Sequence, residues 1–280
     1  MSPEDRPTAL EAVVRDGRIA AVTSPFVRVE PPPGSARFRH AGAGAAGRLR
    51  EKLVVARNIN QGVLEQYRKL AASLHYAQSQ HGTRVLMMTS TLASEGKTLT
   101  ATNLALTLSE SYRRRVLLID ADLRRPTIHD MFDLPNVSGL NDVLYARDAA
   151  LRCELFTMTA QLCVLTAGRP NPDPIGGLTS ERMRQLVAAG TAEFDWVVID
   201  TPPVGLLTDA RLMSSMVDAV IFVINAGRTP YRLVHRAVEA VGRDRIFGVV
   251  LNKVAVQDLW RDYGSYSYSY YGYGSPRTKD

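Results

Sequence analysis

The chain lacks any apolar run near the ~18–20 residues that a membrane-crossing helix needs. Its longest candidates, Val116–Ile119 and Ala219–Ile224, have the length of strands. The N-terminus carries Glu4, Asp5 and Arg6 with no apolar stretch behind them, so no signal peptide is expected there and any membrane role should run through a partner. Cysteine is scarce. Cys153 and Cys163 have neither CxxC nor zinc-ligand spacing, and read as reduced thiols rather than a disulfide or a metal site. The histidines are scattered without a HxxxH pair, so packing or surface roles suffice for them. A long basic block is also missing. The formal charge is +6, but the densest groups, Arg113–Arg115 and Arg124–Arg125, lie beside a phosphate-binding segment. Nucleotide anion chemistry accounts for them, and no nucleic-acid partner is expected.

At 280 residues and 45% hydrophobic, the chain suffices for one sizeable α/β domain with loose ends. Residues 1–60 read as a poorly ordered segment and linker, because Pro31–Gly34 and Ala41–Gly47 are too poor in periodic apolar content to close a core. Within it, Leu10–Val14 is a short, mostly apolar stretch that suits a small docking element. The domain is expected over 61–256. Val63, Tyr67, Leu70 and Leu74 follow helical spacing over Gly62–Ala77. Strands are expected at Arg84–Ser90, Val116–Asp120, Leu162–Thr166, Trp196–Asp200, Ala219–Asn225 and Phe247–Asn252. Helices are expected at Thr98–Tyr112 and near 179–189, 209–217 and 230–242. Strands apolar on both faces, alternating with helices, imply an α/β fold with a mostly parallel central sheet covered on both faces. Such sheets bind ligands at the carboxyl ends of their strands.

Thr91-Leu-Ala-Ser-Glu-Gly-Lys-Thr98 joins a strand to a helix, the setting of a P-loop. Gly96 lets the backbone approach phosphates. The amides of Ser94, Glu95, Gly96, Lys97, Thr98 and the following Leu99 lie at the positive end of the helix. Lys97 would reach the β and γ phosphates of ATP, and Thr98 would offer its hydroxyl to Mg²⁺. The full pattern wants glycine at Thr91 and commonly at Ser94, so the same residues also suit a plain helix start with a surface lysine. Two further strands end in acid: Val116–Asp120 is followed by Ala121-Asp122, and Trp196–Asp200 by Thr201-Pro-Pro203. Mg²⁺ takes one or two carboxylates plus phosphate oxygens, a role that suits Asp122 and Asp200. Asp120 is then free to accept a proton from an attacking hydroxyl. A single strand-end aspartate often only caps the next helix; three beside a lysine–threonine loop point to nucleotide chemistry. Arg124 and Arg125 suit either phosphate contact or a solvated helix start.

Residues 257–280 read as a flexible tail in which Tyr263, Tyr266, Tyr268, Tyr270, Tyr271 and Tyr273 alternate with Ser and Gly. A sticky low-complexity end and a set of phosphoacceptors are both open on composition. The ordered motifs decide between them. Thr89 to Thr98, Leu117-Leu-Ile-Asp-Ala-Asp-Leu-Arg-Arg-Pro126 and Val197-Val-Ile-Asp-Thr-Pro-Pro203, with the terminal tyrosines, resemble the bacterial tyrosine kinases (BY-kinases) of capsule and exopolysaccharide synthesis. That resemblance implies a P-loop NTPase fold and Mg- and ATP-dependent autophosphorylation of the tail tyrosines. It implies Asp120 and Lys97 as catalytic groups, and Thr98, Asp122 and Asp200 around the metal. It implies a cytoplasmic kinase recruited to the inner face of the plasma membrane by a membrane-embedded polysaccharide chain-length regulator that activates it, with self-association and a cognate phosphatase.

Two departures stand out. Family loops read Pro-Gly-Glu-Gly-Lys where this chain has Ala93 and Ser94. The ring-forming ExxRxxR motif appears as Glu65-x-x-Arg68-x-x-Ala71, and Lys69 sits about 100° round the helix from Arg68. Two rivals remain on the same fold. A partition or positioning ATPase usually carries a lysine five residues before the loop lysine, where this chain has Leu92. A non-catalytic scaffold would use the tail for docking alone. Asn252, ending the last strand, suits either an adenine contact or a turn.

Overall fold

The computed structural model describes residues 24–33, 35, 47, 50–56, 59–147, 150–170, 173–207 and 210–254, and the backbone of 12–15 and 18–21. Residues 255–280, with all six tail tyrosines, lie outside the described residues.

A small antiparallel hairpin pairs β1 (Ala12–Arg15) with β2 (Arg18–Ala21). The main sheet comprises β3 (Phe26–Val29), β4 (Val85–Ser90), β5 (Val116–Asp120), β6 (Cys153–Thr157), β7 (Leu162–Leu165), β8 (Trp196–Asp200), β9 (Ala219–Asn225) and β10 (Ile246–Asn252). Its spatial order is β10-β9-β4-β8-β5-β7-β6-β3. Pairing is parallel except between β6 and β7, so β6 and β3 run against the other six.

The side chains of β4, β5 and β8 are buried on both faces, as expected of central parallel strands. Leu86, Met88, Val116, Leu118, Trp196 and Val198 face one core; Val85, Met87, Leu117, Ile119, Val197 and Ile199 face the other. The first core is closed by α1 (Gln61–His81) and α2 (Lys97–Glu110). The second lies under α4 (Leu140–Tyr145), α6 (Glu181–Glu193), α7 (Ala210–Ser215) and α8 (Tyr231–Val241). Two short helices, α3 (Ile128–Phe132) and α5 (Pro174–Leu178), also lie among the described residues.

Helix α1 runs past Ala77 to His81. Asn60 caps its start by accepting from Gly62 N at 2.8 Å, and Gly82 ends it at φ +69°. Its buried positions are Ala71, Leu74 and Ala77; of the expected stripe Tyr67, Leu70 and Leu74 pack against the core, and only Val63, in the first turn, is exposed. Ala71 is fully buried. An arginine there, as the ring motif asks, would put a guanidinium into the α1–α2 contact without water.

The segment expected to be loose contributes to the core at two places. Residues 26–29 form the edge strand β3, and the Phe26 ring meets Phe194 edge-on with centroids 5.9 Å apart. Further on, Leu53 and Val54 are buried, and Asn103 of α2 ties this stretch down. Its Oδ1 accepts from Val54 N at 2.9 Å, and its Nδ2 donates to Lys52 O at 3.1 Å. Linker composition elsewhere in the segment hid these two short apolar pieces. Cys153 and Cys163 are free and buried, and desolvation pushes the Cys153 thiol up to about 12. Among the described residues no helix is long and apolar enough to cross a membrane.

Candidate active site

The site forms where β4, β8 and β5 end side by side. Asp200 is in register with both Met88 and Asp120. The tips are bound to one another: Ala121 N donates to Asp200 O at 2.8 Å, and Thr201 N and its hydroxyl both donate to Met88 O at 3.0 Å. Thr89 Oγ1 closes the arrangement onto Pro202 O at 3.0 Å. Packing of the two cores therefore delivers Asp120, Asp200 and the phosphate loop to one rim.

The loop leaves β4 after Ser90 and becomes α2 at Lys97. The first helical amides, those of Lys97, Thr98 and Leu99, have no acceptor within the helix and form its positive end. Gly96 has φ +95°, and a Cβ there would stand 2.1 Å from Asn252 Nδ2. Ser94 also lies in the left-handed region, at φ +64°. That explains the family's glycine at this position, since a Cβ is disfavoured in this conformation. Glu95 is buried and turned inward. Its Oε2 accepts from Leu92 N at 2.8 Å, and Oε1 accepts from Asn225 N at 3.3 Å and from the Thr229 hydroxyl. Its side chain shapes the loop, leaving only its backbone for a phosphate.

Lys97, itself 7% exposed, donates from Nζ to Asp122 Oδ2 at 2.8 Å, to Thr98 Oγ1 at 3.2 Å and to Asp200 Oδ1 at 3.4 Å. Burial alone would lower its pKa, but attraction to Asp200 and Asp122 outweighs this and holds it above the ordinary lysine value. Asp200 is fully buried. Desolvation raises it, while Lys97 and the Thr98 hydroxyl oppose the rise. Its Oδ2 is buried without a hydrogen-bond partner in the described structure, an arrangement that costs free energy unless a cation or donor arrives.

Asp120 is fully buried too. Its Oδ1 accepts from Asp122 N at 3.2 Å, and Oδ2 from Thr127 N at 3.1 Å and Ile128 N at 3.0 Å. Desolvation, with the nearby Asp200 charge, pushes it up to about 8 despite those amides. Arg124 and Arg125 stand exposed on the turn that follows. Arg113–Arg115, expected beside the phosphate site, instead precede β5, with Arg115 paired to Asp195 at the opposite end of the sheet. Asp120, Asp122, Asp200, Lys97 and Thr98 are thus brought together on one rim, and Leu99 packs half-buried against the core below it.

Two residues at the end of β10 add to the loop. Asn252 Nδ2 donates to Glu95 O at 2.8 Å and its Oδ1 accepts from Lys253 N at 2.8 Å, so it serves the loop's backbone. Lys253 Nζ donates to Ser94 O at 2.6 Å. Lys253 is not legible from the sequence: a lone lysine after a strand gives no sign of a carbonyl partner far away in the chain.

Comparison with known proteins agrees with this geometry. The profile of the CobQ/CobB/MinD/ParA nucleotide binding domain matches residues 86–262. The tyrosine-protein kinase YwqD of Bacillus subtilis is 34% identical over 190 residues, covering 67% of this chain and 80% of YwqD. The tyrosine-protein kinase Wzc of Salmonella typhi is 32% identical over 222 residues, or 78% of this chain but only 31% of Wzc. The kinase domain of the Escherichia coli tyrosine kinase ETK superposes with a TM-score of 0.61 at 30% identity, over 69% of this chain and 77% of that domain. By descent as well as by the architecture of its rim, the chain belongs to the bacterial tyrosine kinases, a branch of that nucleotide-binding family.

Proposed function

We propose that this chain is an ATP- and Mg²⁺-dependent protein-tyrosine autokinase whose acceptors are Tyr263, Tyr266, Tyr268, Tyr270, Tyr271 and Tyr273. The observation that carries the reading is the contact of Lys97 with both Asp122 and Asp200 at the positive end of α2. The donor set fits a hard divalent cation: carboxylate oxygens, the Thr98 hydroxyl and the partnerless Asp200 Oδ2. Among the described residues no three acidic, histidine or cysteine side chains cage a metal by themselves. Phosphate oxygens and water would therefore complete the shell, as is usual for Mg²⁺. Bound there, the cation supplies charge neutralisation for the phosphates.

The chain's own groups do the rest. Lys97 and the amides of residues 94–99 hold the β and γ phosphates of ATP. The phenol of a tail tyrosine attacks the γ phosphorus, its new O–P bond forming as the bond to the β-phosphate oxygen breaks and ADP departs. The phenolic proton passes to Asp120 in its carboxylate form, whose proton affinity burial and the Asp200 charge raise. Access to that carboxylate requires the segment 122–128, whose amides at 122, 127 and 128 now satisfy it, to open toward the phenol.

Leu92 is half-exposed where a partition ATPase usually carries its additional lysine, which favours kinase over positioning switch. In this reading the protein works in the cytoplasm, regulates exopolysaccharide or capsule polymerisation and export, and answers to a membrane-embedded chain-length regulator and a phosphatase. Incubating the purified chain with Mg·ATP and mapping phosphotyrosine by mass spectrometry tests it. Phosphate on tail tyrosines of the parent, and none in Lys97→Met, is expected; equal signal in both would end the reading.

A further inference from the structure

Consecutive residues at the end of β10 hold consecutive carbonyls of the phosphate loop: Asn252 bonds Glu95 O, and Lys253 bonds Ser94 O. Lys253 turns toward the loop through a left-handed backbone, φ +57°, and its partner Ser94 is left-handed as well. Residues with a Cβ rarely adopt that conformation unless the surroundings impose it. Here two of them face each other through a single ammonium–carbonyl bond. An ionised donor makes that bond stronger than a neutral one. Ser94 also stands where the family resemblance places glycine, the residue that would take this conformation unaided. The oddity at 94 and the oddity at 253 therefore explain each other.

We infer that Lys253 is a positioning residue for nucleotide binding, its ammonium holding Ser94 in the left-handed form that aims the loop's amides at the phosphates. It touches neither phosphate nor metal in this role and acts only through the loop. Because Lys253 is exposed, it has no part in the core, and its removal perturbs the loop before the fold. The inference rests on the nucleotide-binding part of the proposed function and is independent of phosphoryl transfer.

The test is a titration of the full chain, with Mg²⁺, using a fluorescent ATP analogue. The parent, Lys253→Met, Lys253→Arg, Ser94→Gly and the Lys253→Met/Ser94→Gly pair are compared. Lys253→Met should weaken binding about tenfold, the size of one charge-assisted hydrogen bond. Lys253→Arg should recover most of that loss. Ser94→Gly should bind at least as tightly as the parent, and on that background Lys253→Met should cost less than about threefold, because coupled residues are non-additive. Loss of equal size on both backgrounds, or no loss in Lys253→Met, overturns the inference. So does a fall in the thermal midpoint that tracks the affinity and is not recovered by arginine, since that describes a merely structural lysine. Lys97→Met separates the two levels: if it binds as tightly as the parent, the loop is not the nucleotide site and both readings fall.

Discussion

Gly96 is the residue where the loop has least freedom. Its φ of +95° strains any residue with a Cβ, and a Cβ 2.1 Å from Asn252 Nδ2 would push that side chain aside. Gly96→Ala should cost about 1–2 kcal/mol from backbone strain alone. Moving Asn252 off Glu95 O should weaken nucleotide binding further, by about tenfold or more. Titration with the ATP analogue and thermal unfolding would measure the two effects separately. The importance of Gly96 and Lys97 was legible in the sequence, since each belongs to a phosphate-binding pattern. So were the three aspartates, because an apolar strand ending in acid delivers that acid to a predictable rim. Asn252 suits two roles on sequence alone, and Lys253 carries no sequence signal. Their partners are backbone carbonyls 157 and 159 residues away, and a carbonyl leaves no trace in residue identity.

Among elements, the buried parallel strands were the most legible, because their β-branched runs are apolar on both faces and bounded by polar turns. The structure has strands at all six expected places, though β4 begins one residue later than Arg84 and β7 stops at Leu165. Strands β3 and β6 escaped for a physical reason. Each buries only part of its length, and charged Arg28 or Glu154 interrupts the apolar signal. Arg28 is nonetheless placed, its guanidinium 5.4 Å from the Phe194 ring and its NH2 3.8 Å from Glu193. If β3 is integral to the sheet, Phe26→Ala should destabilise the chain by about 3 kcal/mol, as truncation of a buried phenylalanine does. Urea unfolding measures this. A change below about 0.5 kcal/mol, the level of an exposed surface substitution, would mean that the edge strand contributes nothing to the fold.

On the scale of the whole molecule, charge is the quantity that the proposed activity would change most. The unmodified chain carries a formal +6. Each phosphate adds about −1.5 to −2, so six would add about −9 to −12 and reverse the net sign. Incubation with Mg·ATP should therefore move the protein from retention on a cation exchanger to retention on an anion exchanger. Like-charged tails should also loosen contacts between copies, lowering the sedimentation coefficient of any assembly. A full-length variant with all six tyrosines changed to Phe should show neither change; if it shifts as the parent does, the acceptors lie elsewhere. A ring built through α1 would have to do without a guanidinium at position 71, because that position faces inward against α2.

The lysine at the rim is already spoken for, and this has a consequence for what the site will accept. Asp122 and Asp200 share the Lys97 ammonium as a counter-charge, and neither faces open water. A triphosphate arriving alone would compete for that ammonium and leave two sequestered acids facing fresh negative charge. One arriving with its own divalent ion would replace the cation it displaces. The rim should thus discriminate against the bare anion, with affinity for the ATP analogue falling about tenfold or more when EDTA replaces Mg²⁺. In Asp122→Asn, where one acid is neutral, that dependence on the metal should shrink.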